Sequence, residues 1–539
     1  MEGRRVISIL GLASMVVVGW PARVAAQRLT PIPHPIGAPD PVGAAARSSI
    51  APPPTSRWTP LINQPSLFNG ASNPILLTDG TVLVKDTGFP DWWRLTPDQT
   101  GSYVNGTWSQ VASLPVGYSP LYHSSAVLPD GRLIIEGGEY LLSDDHTAFI
   151  VSESAKGAIY DPIADTWTEM APPPFFTGLG GQFAQTIGDA QSVVLANGTY
   201  MQANCCTREA ALLDARTLTW TPTGQGKMTI NSEEGWTLLP GGKVLTVDAY
   251  VFAYDISGMN SEIYDPMTGA WTSAGSTKVQ LWDSAADCGA AGNASYDIGP
   301  GVLRPDGTVF YAGGNKCGGG HTAIYDSRTG RWKAGPDFPD AVSIDDGPAA
   351  LEPNGKVLMM ASPFFAPPSQ FLEWDGRHLT QIPGPPHAPF VPSYFGMMVV
   401  LPTGQILLTD FSNDVEIYTP TSDGDKQDDE RPVVFNAPPR VRRGKSYRLT
   451  GRGFNGVSQG GSYGDDAQSA TNYPLVRITN LKTHHVSYGR THDHSSMAVA
   501  SDALVHTTFD VPALQERGRS ILEVVANGVA SCPIAVLVE

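Results

Sequence analysis

One short unit recurs along this chain and limits what it can fold into: an apolar strand, a tight turn ending in glycine, and a second apolar strand. AVLPDGRLIIEGG (126–138), VLRPDGTVFYAGG (302–314) and LLPGGKVLTVD (238–248) are three copies. The turn glycines are Gly80, Gly131, Gly198, Gly242, Gly307, Gly355 and Gly404, spaced 44 to 67 residues apart. Asp-Gly and Asn-Gly between apolar runs predict β-hairpins with primed turns, which need positive φ. A second half-unit follows most of them: Ile159-Tyr160-Asp161-Pro162 with Trp167, Ile263-Tyr264-Asp265-Pro266 with Trp271, and Ile324-Tyr325-Asp326 with Trp332. Weaker copies are Leu213-Asp214 with Trp220, and Ile417-Tyr418. Two hairpins per unit make one four-stranded sheet per unit.

A lone four-stranded sheet has exposed edges and an uncovered face, whereas sheets set radially cover one another. Seven copies near the 50-residue period of kelch repeats predict an all-β fold, a seven-bladed kelch-type β-propeller over residues 58–422. Composition agrees: 57 Gly and 46 Pro in 539 residues supply turns, and 41% apolar residues supply a core. The 52 acids against 35 bases leave a net charge of −17, which repels phosphate backbones. No basic patch offsets it, so nucleic acid is excluded, while cations, neutral sugars and basic partners remain compatible.

The N-terminus reads as a secretory signal over residues 1–26. Arg4 and Arg5 precede an apolar run from Val6 to Trp20, and Val24-Ala25-Ala26 supplies small residues before Gln27. That run is shorter than the roughly 18–20 residues of a membrane anchor, and no later segment is apolar enough to span a bilayer. Export, to the extracellular space or a periplasm, is the expectation. The Pro/Ala-rich stretch 27–57 reads as a tether, and the run DGDKQDDE (423–430) as a solvated linker. Short alternating strands over 431–539 suggest an immunoglobulin-like β-sandwich. Among five cysteines, Cys288 and Cys317 are a plausible disulfide. The adjacent Cys205 and Cys206 are open to a soft metal, a mutual disulfide, separate bridges or two buried thiols, and Cys532 stands apart.

With these residues in place, the chain resembles galactose oxidase and the related copper-radical oxidases. SYFGMMVVLPTGQILLTD (393–410) and YPLVRITNLKTHHVSYGRTHDHSS (473–496) carry the resemblance most strongly. It implies a C-terminal domain of the Early-set type. It also implies a copper ion on the propeller axis, held by a Cys-linked Tyr, a Tyr-His pair and a His from the C-terminal domain. With copper, the linked Tyr oxidises primary alcohols or aldehydes and releases H2O2.

The repeat lets those positions be counted. Nine residues before Gly198 is Asp189, where the family has Cys, and nine before Gly242 is Glu233, where it has the linked Tyr. Tyr394 matches the family Tyr, but its neighbour is Phe395 where a His belongs. His484 is the nearest match for the C-terminal His, with His485 and His492 as alternatives. Asp and Glu form no thioether and Phe binds no copper, so the radical mechanism is expected to be absent. Tyr122-His123 repeats the Tyr-His pair in the second blade, which leaves a rearranged copper site as an alternative.

The same ring instead holds Asp189, Glu233, Glu234, Asp297, Asp345 and Asp346, with Tyr122, His123, Trp236, Tyr296 and Tyr394 between them. Converging carboxylates suit a hard cation such as Ca²⁺ better than copper, or sugar hydroxyls beside aromatic faces. Crowded acids also suit acid–base catalysis, so a non-redox lyase or hydrolase is a further alternative. Glu233, Asp189 and Tyr394 are the candidate catalytic residues. Tyr122, His123, Trp236, Tyr296, Asp297, Asp345 and Asp346 are candidates for binding a carbohydrate or other polyol. His484, His492 and Tyr394 are the candidate metal ligands. The motif THDHSS (491–496) reads either as a metal site or as a strand docking under the propeller, and the polar loop 464–468 receives no assignment.

Overall fold

The computed structural model describes residues 57–143, 148–178, 184–282, 296–315, 318–421, 430–464, 466 and 469–539. The predicted signal, nearly all of the tether and the acidic linker up to residue 429 lie outside the described residues, as do Cys288 and Cys317.

Every recurring turn closes in the same way. Leu77 N–H donates to Thr81 C=O at 2.7 Å and Gly80 N–H to Leu77 C=O at 3.0 Å, with Asp79 accepting from Thr81. The seven turn glycines have φ between 78° and 86°; in six turns the residue before keeps negative φ, and in the seventh it is Gly241, also left-handed at 86°. These are three-residue loops, in six of the seven a type I turn followed by a left-handed glycine, in place of the expected primed two-residue turns. Only glycine takes that φ without strain.

The hairpins assemble into meander sheets of four consecutive strands. The first is Ala71–Leu76, Val82–Asp86, Trp92–Thr96 and Thr107–Gln110. Among the described residues six more four-stranded sheets form, the last of them completed by the N-terminal strand, and the one built on Pro348–Leu351 carries a fifth strand, Gly461–Tyr463. In the second half-units, Tyr160 stands opposite Trp167, Tyr264 opposite Trp271 and Tyr325 opposite Trp332 across the outer strand pair. Trp167 Nε1 then donates to Ala112 C=O and Trp220 Nε1 to Ala171 C=O, both at 2.9 Å, stitching the second and third sheets to the chain arriving from their predecessors.

First strands of neighbouring sheets pack side by side around an axis: Met397–Val400 against Ala71–Leu76 and Pro348–Leu351, and Pro348–Leu351 against Ile298–Leu303. The N-terminal strand Trp58–Pro60 pairs with Glu416–Tyr418 of the last sheet, which closes the β-propeller. An inserted three-stranded sheet, Pro120–Leu121, Tyr140–Leu142 and Phe149–Val151, rises beside the second sheet.

Each first strand runs from one mouth of the ring to the glycine turns at the other. The C-terminal sandwich, a twisted array of strands from Val433–Asn436 to Ile534–Val538, packs on the turn end. Thr491 N–H donates to Thr78 C=O, His494 N–H to Pro129 C=O and Met497 N–H to Ala196 C=O, at 2.9 to 3.1 Å. From there Gly461–Tyr463 pairs antiparallel with Pro348–Leu351 up the inside of the ring. Gly464 N–H reaches Asp346 C=O at 3.2 Å at the opposite mouth.

Candidate functional site

The mouth is built by a repeated backbone feature. Just before their first strands, Tyr122, Glu233, Tyr296, Asp345 and Asp346 all take positive φ, between 39° and 67°. Left-handed conformations cost side-chain-bearing residues about 1–2 kcal/mol each, so their recurrence marks a constraint imposed by the site. Tyr122, Glu233 and Asp346 stand nine residues before their turn glycines, the register that also contains Asp189.

Glu233, Asp297 and Asp346 bring one carboxylate oxygen each to within 4.8 Å of one another. Glu233 and Asp297 are buried and Asp346 is half-buried. Calcium–oxygen bonds of about 2.3–2.6 Å allow two ligands of one ion to lie up to about 5 Å apart, so this spacing suits a single hard cation. Asp345 turns elsewhere: its Oδ2 accepts from Ser343 Oγ at 2.6 Å, and it lies beside Gly314.

A second acidic group faces the first. Glu139, Glu153 and Asp189 are buried, and among the described residues none forms an ion pair with lysine or arginine. Burial raises Asp189 to about 6. Burial, with Asp189 and Glu153, holds Glu139 well above the usual carboxylate range, and Asp297 adds to it. Burial and Asp189 do the same for Glu153.

Tyr122 stands between the groups. It is 8% exposed, and its hydroxyl has no hydrogen-bond partner among the described residues. Burial raises its pKa, and so do Tyr394, Glu139, Asp466 and Asp346. Its ring stacks on Tyr463 at 6.2 Å and lies 6.2 Å from Phe411. Tyr394 packs on Phe365 and Phe395, and its carbonyl accepts from Tyr463 Oη at 2.9 Å. On the opposite side Tyr296 lies 4.4 Å from Tyr250 and 5.1 Å from Trp282. The Tyr250 phenol is raised by burial, then by Glu233, Asp297 and Asp189.

Other expected residues lie elsewhere. Glu234 turns into the fourth sheet, 3.0 Å from Lys227. Trp236 is buried in the hydrophobic core, 5.5 Å from Trp271. His123 is buried with Nδ1 3.1 Å from Ser124 C=O, and burial and Lys85 lower its pKa to about 3. His484 sits in an exposed turn of the sandwich, two residues from Val486, whose N–H donates to Gln99 C=O. His492 bonds Asp493 at 2.8 Å and Asp510 at 3.2 Å, and His494 bonds Thr507 and stacks on Tyr473. The sandwich docks at the turn end, one strand length or roughly 20 Å from the mouth, which keeps these histidines from Tyr394. THDHSS is thus a docking segment, strand through His492 and loop beyond it.

Counting from the turns missed Glu139 and Glu153, which flank the inserted sheet outside the repeat register. It also missed Asp466, fully buried at the end of the strand that climbs the ring. The sequence signal for Glu139 was the doublet Gly137-Gly138 interrupting a hairpin. The expected Cys205–Cys206 alternatives resolve to a mutual disulfide.

Meander sheets around an axis, closed by the N-terminal strand, with a further array of strands at the turn end, make up this all-β fold. No family model matches the chain. Kelch-like protein terF of Aspergillus terreus is 28% identical over 127 residues, 23% of this chain. That match spans about a quarter (26%) of the relative's length. Among solved structures, a fungal alcohol oxidase of the AA5 family in complex with copper is 15% identical, with TM-score 0.48, covering 89% of this chain and 99% of that one. A catalytically inactive virginiamycin B lyase from Staphylococcus aureus, solved with quinupristin, is 9% identical with TM-score 0.43, covering 68% and 99%.

Proposed function

We infer that this is an exported galactose-oxidase-like kelch protein that works without the copper-radical pair. Its acidic mouth binds a hard divalent cation, best matched by Ca²⁺, with a carbohydrate or other polyol beside it. The convergence of Glu233, Asp297 and Asp346 carries this reading. The Tyr122 hydroxyl supports it as a donor facing the same space, and Tyr296 with Trp282 offers aromatic surface for the C–H face of a sugar.

The copper chemistry of the resembling family does not suit these residues. Carboxylate oxygens occupy the Cys and linked-Tyr positions, and Phe395 stacks on Phe411 where imidazole would be needed.

Calorimetric titration of chelator-treated protein with Ca²⁺ tests the reading, alongside a Glu233→Gln/Asp297→Asn variant and a glycan array. Saturable binding lost in the variant is expected. No calcium binding and no glycan binding, or copper-dependent H2O2 release from primary alcohols, would overturn it.

One observation favours a second reading, a non-redox lyase or hydrolase. Asp189 at about 6 is poised to exchange protons near neutral pH. Turnover of a bound polyol that disappears in Asp189→Asn while binding persists would select it.

A further inference from the structure

The disulfide between Cys205 and Cys206 lies against a buried acid at the edge of the mouth. Cys205 Sγ is 3.5 Å from Glu153 Oε2, and the two sulfurs and that carboxylate lie within 4.8 Å of one another. Cys205 and Glu153 are buried, while Cys206 is half-buried, which leaves a path from solvent. Gly188 keeps the space open: a Cβ there would come to 2.4 Å from Glu153 Oε2 and 2.5 Å from Cys205 Sγ. Its φ of 68° favours glycine independently. The loop is anchored by Cys205 N–H to Ile187 C=O at 3.0 Å and Cys206 N–H to Asn204 Oδ1 at 3.3 Å, so its ends are fixed whether or not the sulfurs are joined.

We propose that the reduced pair Cys205–Cys206, with Glu153 as third ligand, is a soft-metal site, and that the disulfide is its closed form. Two thiolates and one carboxylate are a donor set for zinc or cadmium, in contrast to the all-oxygen set of the calcium reading. Two zinc–sulfur bonds of about 2.3 Å at a tetrahedral angle hold the sulfurs roughly 3.7 Å apart, so the cysteine side chains must part on reduction, while Glu153 Oε2, 3.5 Å from Cys205 Sγ, is already within ligand spacing. A dithiol opens the site by exchange. The Cys205–Cys206 bond breaks, the reductant's own disulfide forms, and two electrons and two protons pass to the chain. The entering ion then displaces the two thiol protons to solvent. The proposal uses none of Glu233, Asp297 and Asp346, so it stands or fails separately from calcium binding.

The experiment reduces the full chain with a water-soluble phosphine, which leaves as its oxide, removes the reagent without oxygen, and titrates with Cd²⁺. The thiolate-to-cadmium ultraviolet band is the readout. One Cd²⁺ per chain is expected in reduced protein, with no band in oxidised protein. The band should also be absent in reduced Cys205→Ser/Cys206→Ser, which retains Cys288, Cys317 and Cys532 as a control for other thiols. Glu153→Gln should keep the band with affinity lowered at least about tenfold, the scale on which even outer-shell losses weaken metal sites. Thermal unfolding of each variant verifies the fold. No band after reduction, a band that survives in the double serine variant, or unchanged affinity in Glu153→Gln would overturn the proposal.

Discussion

Glu233 and Glu234 are neighbours in the chain, yet they enter two opposite kinds of carboxylate cluster. Glu234 joins Asp248 and Glu262 around Lys227, whose ammonium lies 3.0, 2.8 and 2.7 Å from them, all fully buried. Burial opposes that charge, but the three carboxylates outweigh it and raise the lysine's pKa. Burial holds Glu262 at about 7, so part of the excess negative charge is removed by a proton. Glu233, turned by its left-handed backbone, goes to the mouth with Asp297 and Asp346. Across from it, Glu139, Glu153 and Asp189 have no lysine or arginine ion pair among the described residues. One cluster carries its own cation inside the fold, and under the proposed function the other takes one from solution. Buried acids crowded together in a cleft are candidate site residues, which is the ground on which the proposed function rests.

The contrast can be broken most directly at Lys227. Lys227→Met strands three buried acids, and a loss of about 3–5 kcal/mol in chemical denaturation is expected. A near-neutral result would show that the carboxylates there are protonated and need no cation.

At the mouth the same logic predicts stabilisation from outside. Ca²⁺ at a hundred times its Kd should add about 2.7 kcal/mol. Glu233→Gln/Asp297→Asn should abolish the rise in Tm, and an undiminished rise in that variant would place the cation elsewhere.

Proton linkage gives an effect of similar size but opposite sense. The folded pKa of Asp189, about 6, exceeds its ordinary 3.8, so between these values the folded chain holds the extra proton. Stability should therefore fall as pH rises from about 4 to 6, on the order of 2–3 kcal/mol for this group, and stay low above. Comparison of denaturation curves for Asp189→Asn should show that slope flattened. A slope unchanged by the substitution would remove Asp189 from the account.

The smallest effect is expected at His484. His484→Ala should change stability by less than about 0.5 kcal/mol and leave cation binding intact. Loss of binding there would return the sandwich histidines to the site.

The sheets were legible because each is specified locally, by alternating apolar residues and one glycine whose conformation no other residue matches. The mouth was legible where the repeat's register holds: Asp189, Glu233, Asp297, Asp346, Tyr122, Tyr296 and Tyr394 were found by counting from turns. Register alone does not say which way a side chain goes, so Glu234 and Trp236 were counted in although they pack into sheets. Glu139 and Glu153 were missed because an insertion breaks the count. The histidines were misplaced because the docking face of the sandwich depends on contacts such as Thr491 with Thr78, between residues more than four hundred positions apart.

The strand Gly461–Tyr463 gives the molecule something like an axle. It belongs by sequence to the second domain, but its pairing partner Pro348–Leu351 is a wall of the first. Swinging the sandwich away would extract that strand and strip hydrogen bonds from the ring's interior, so no soft hinge separates the two parts. The acidic run at 423–430 divides the chain in composition but not in cooperativity, and unfolding should treat both domains as one unit. The pairing also spans more than a hundred residues, so this part of the ring's inner wall is completed only after Tyr463 has been made. Such long-range closure slows folding.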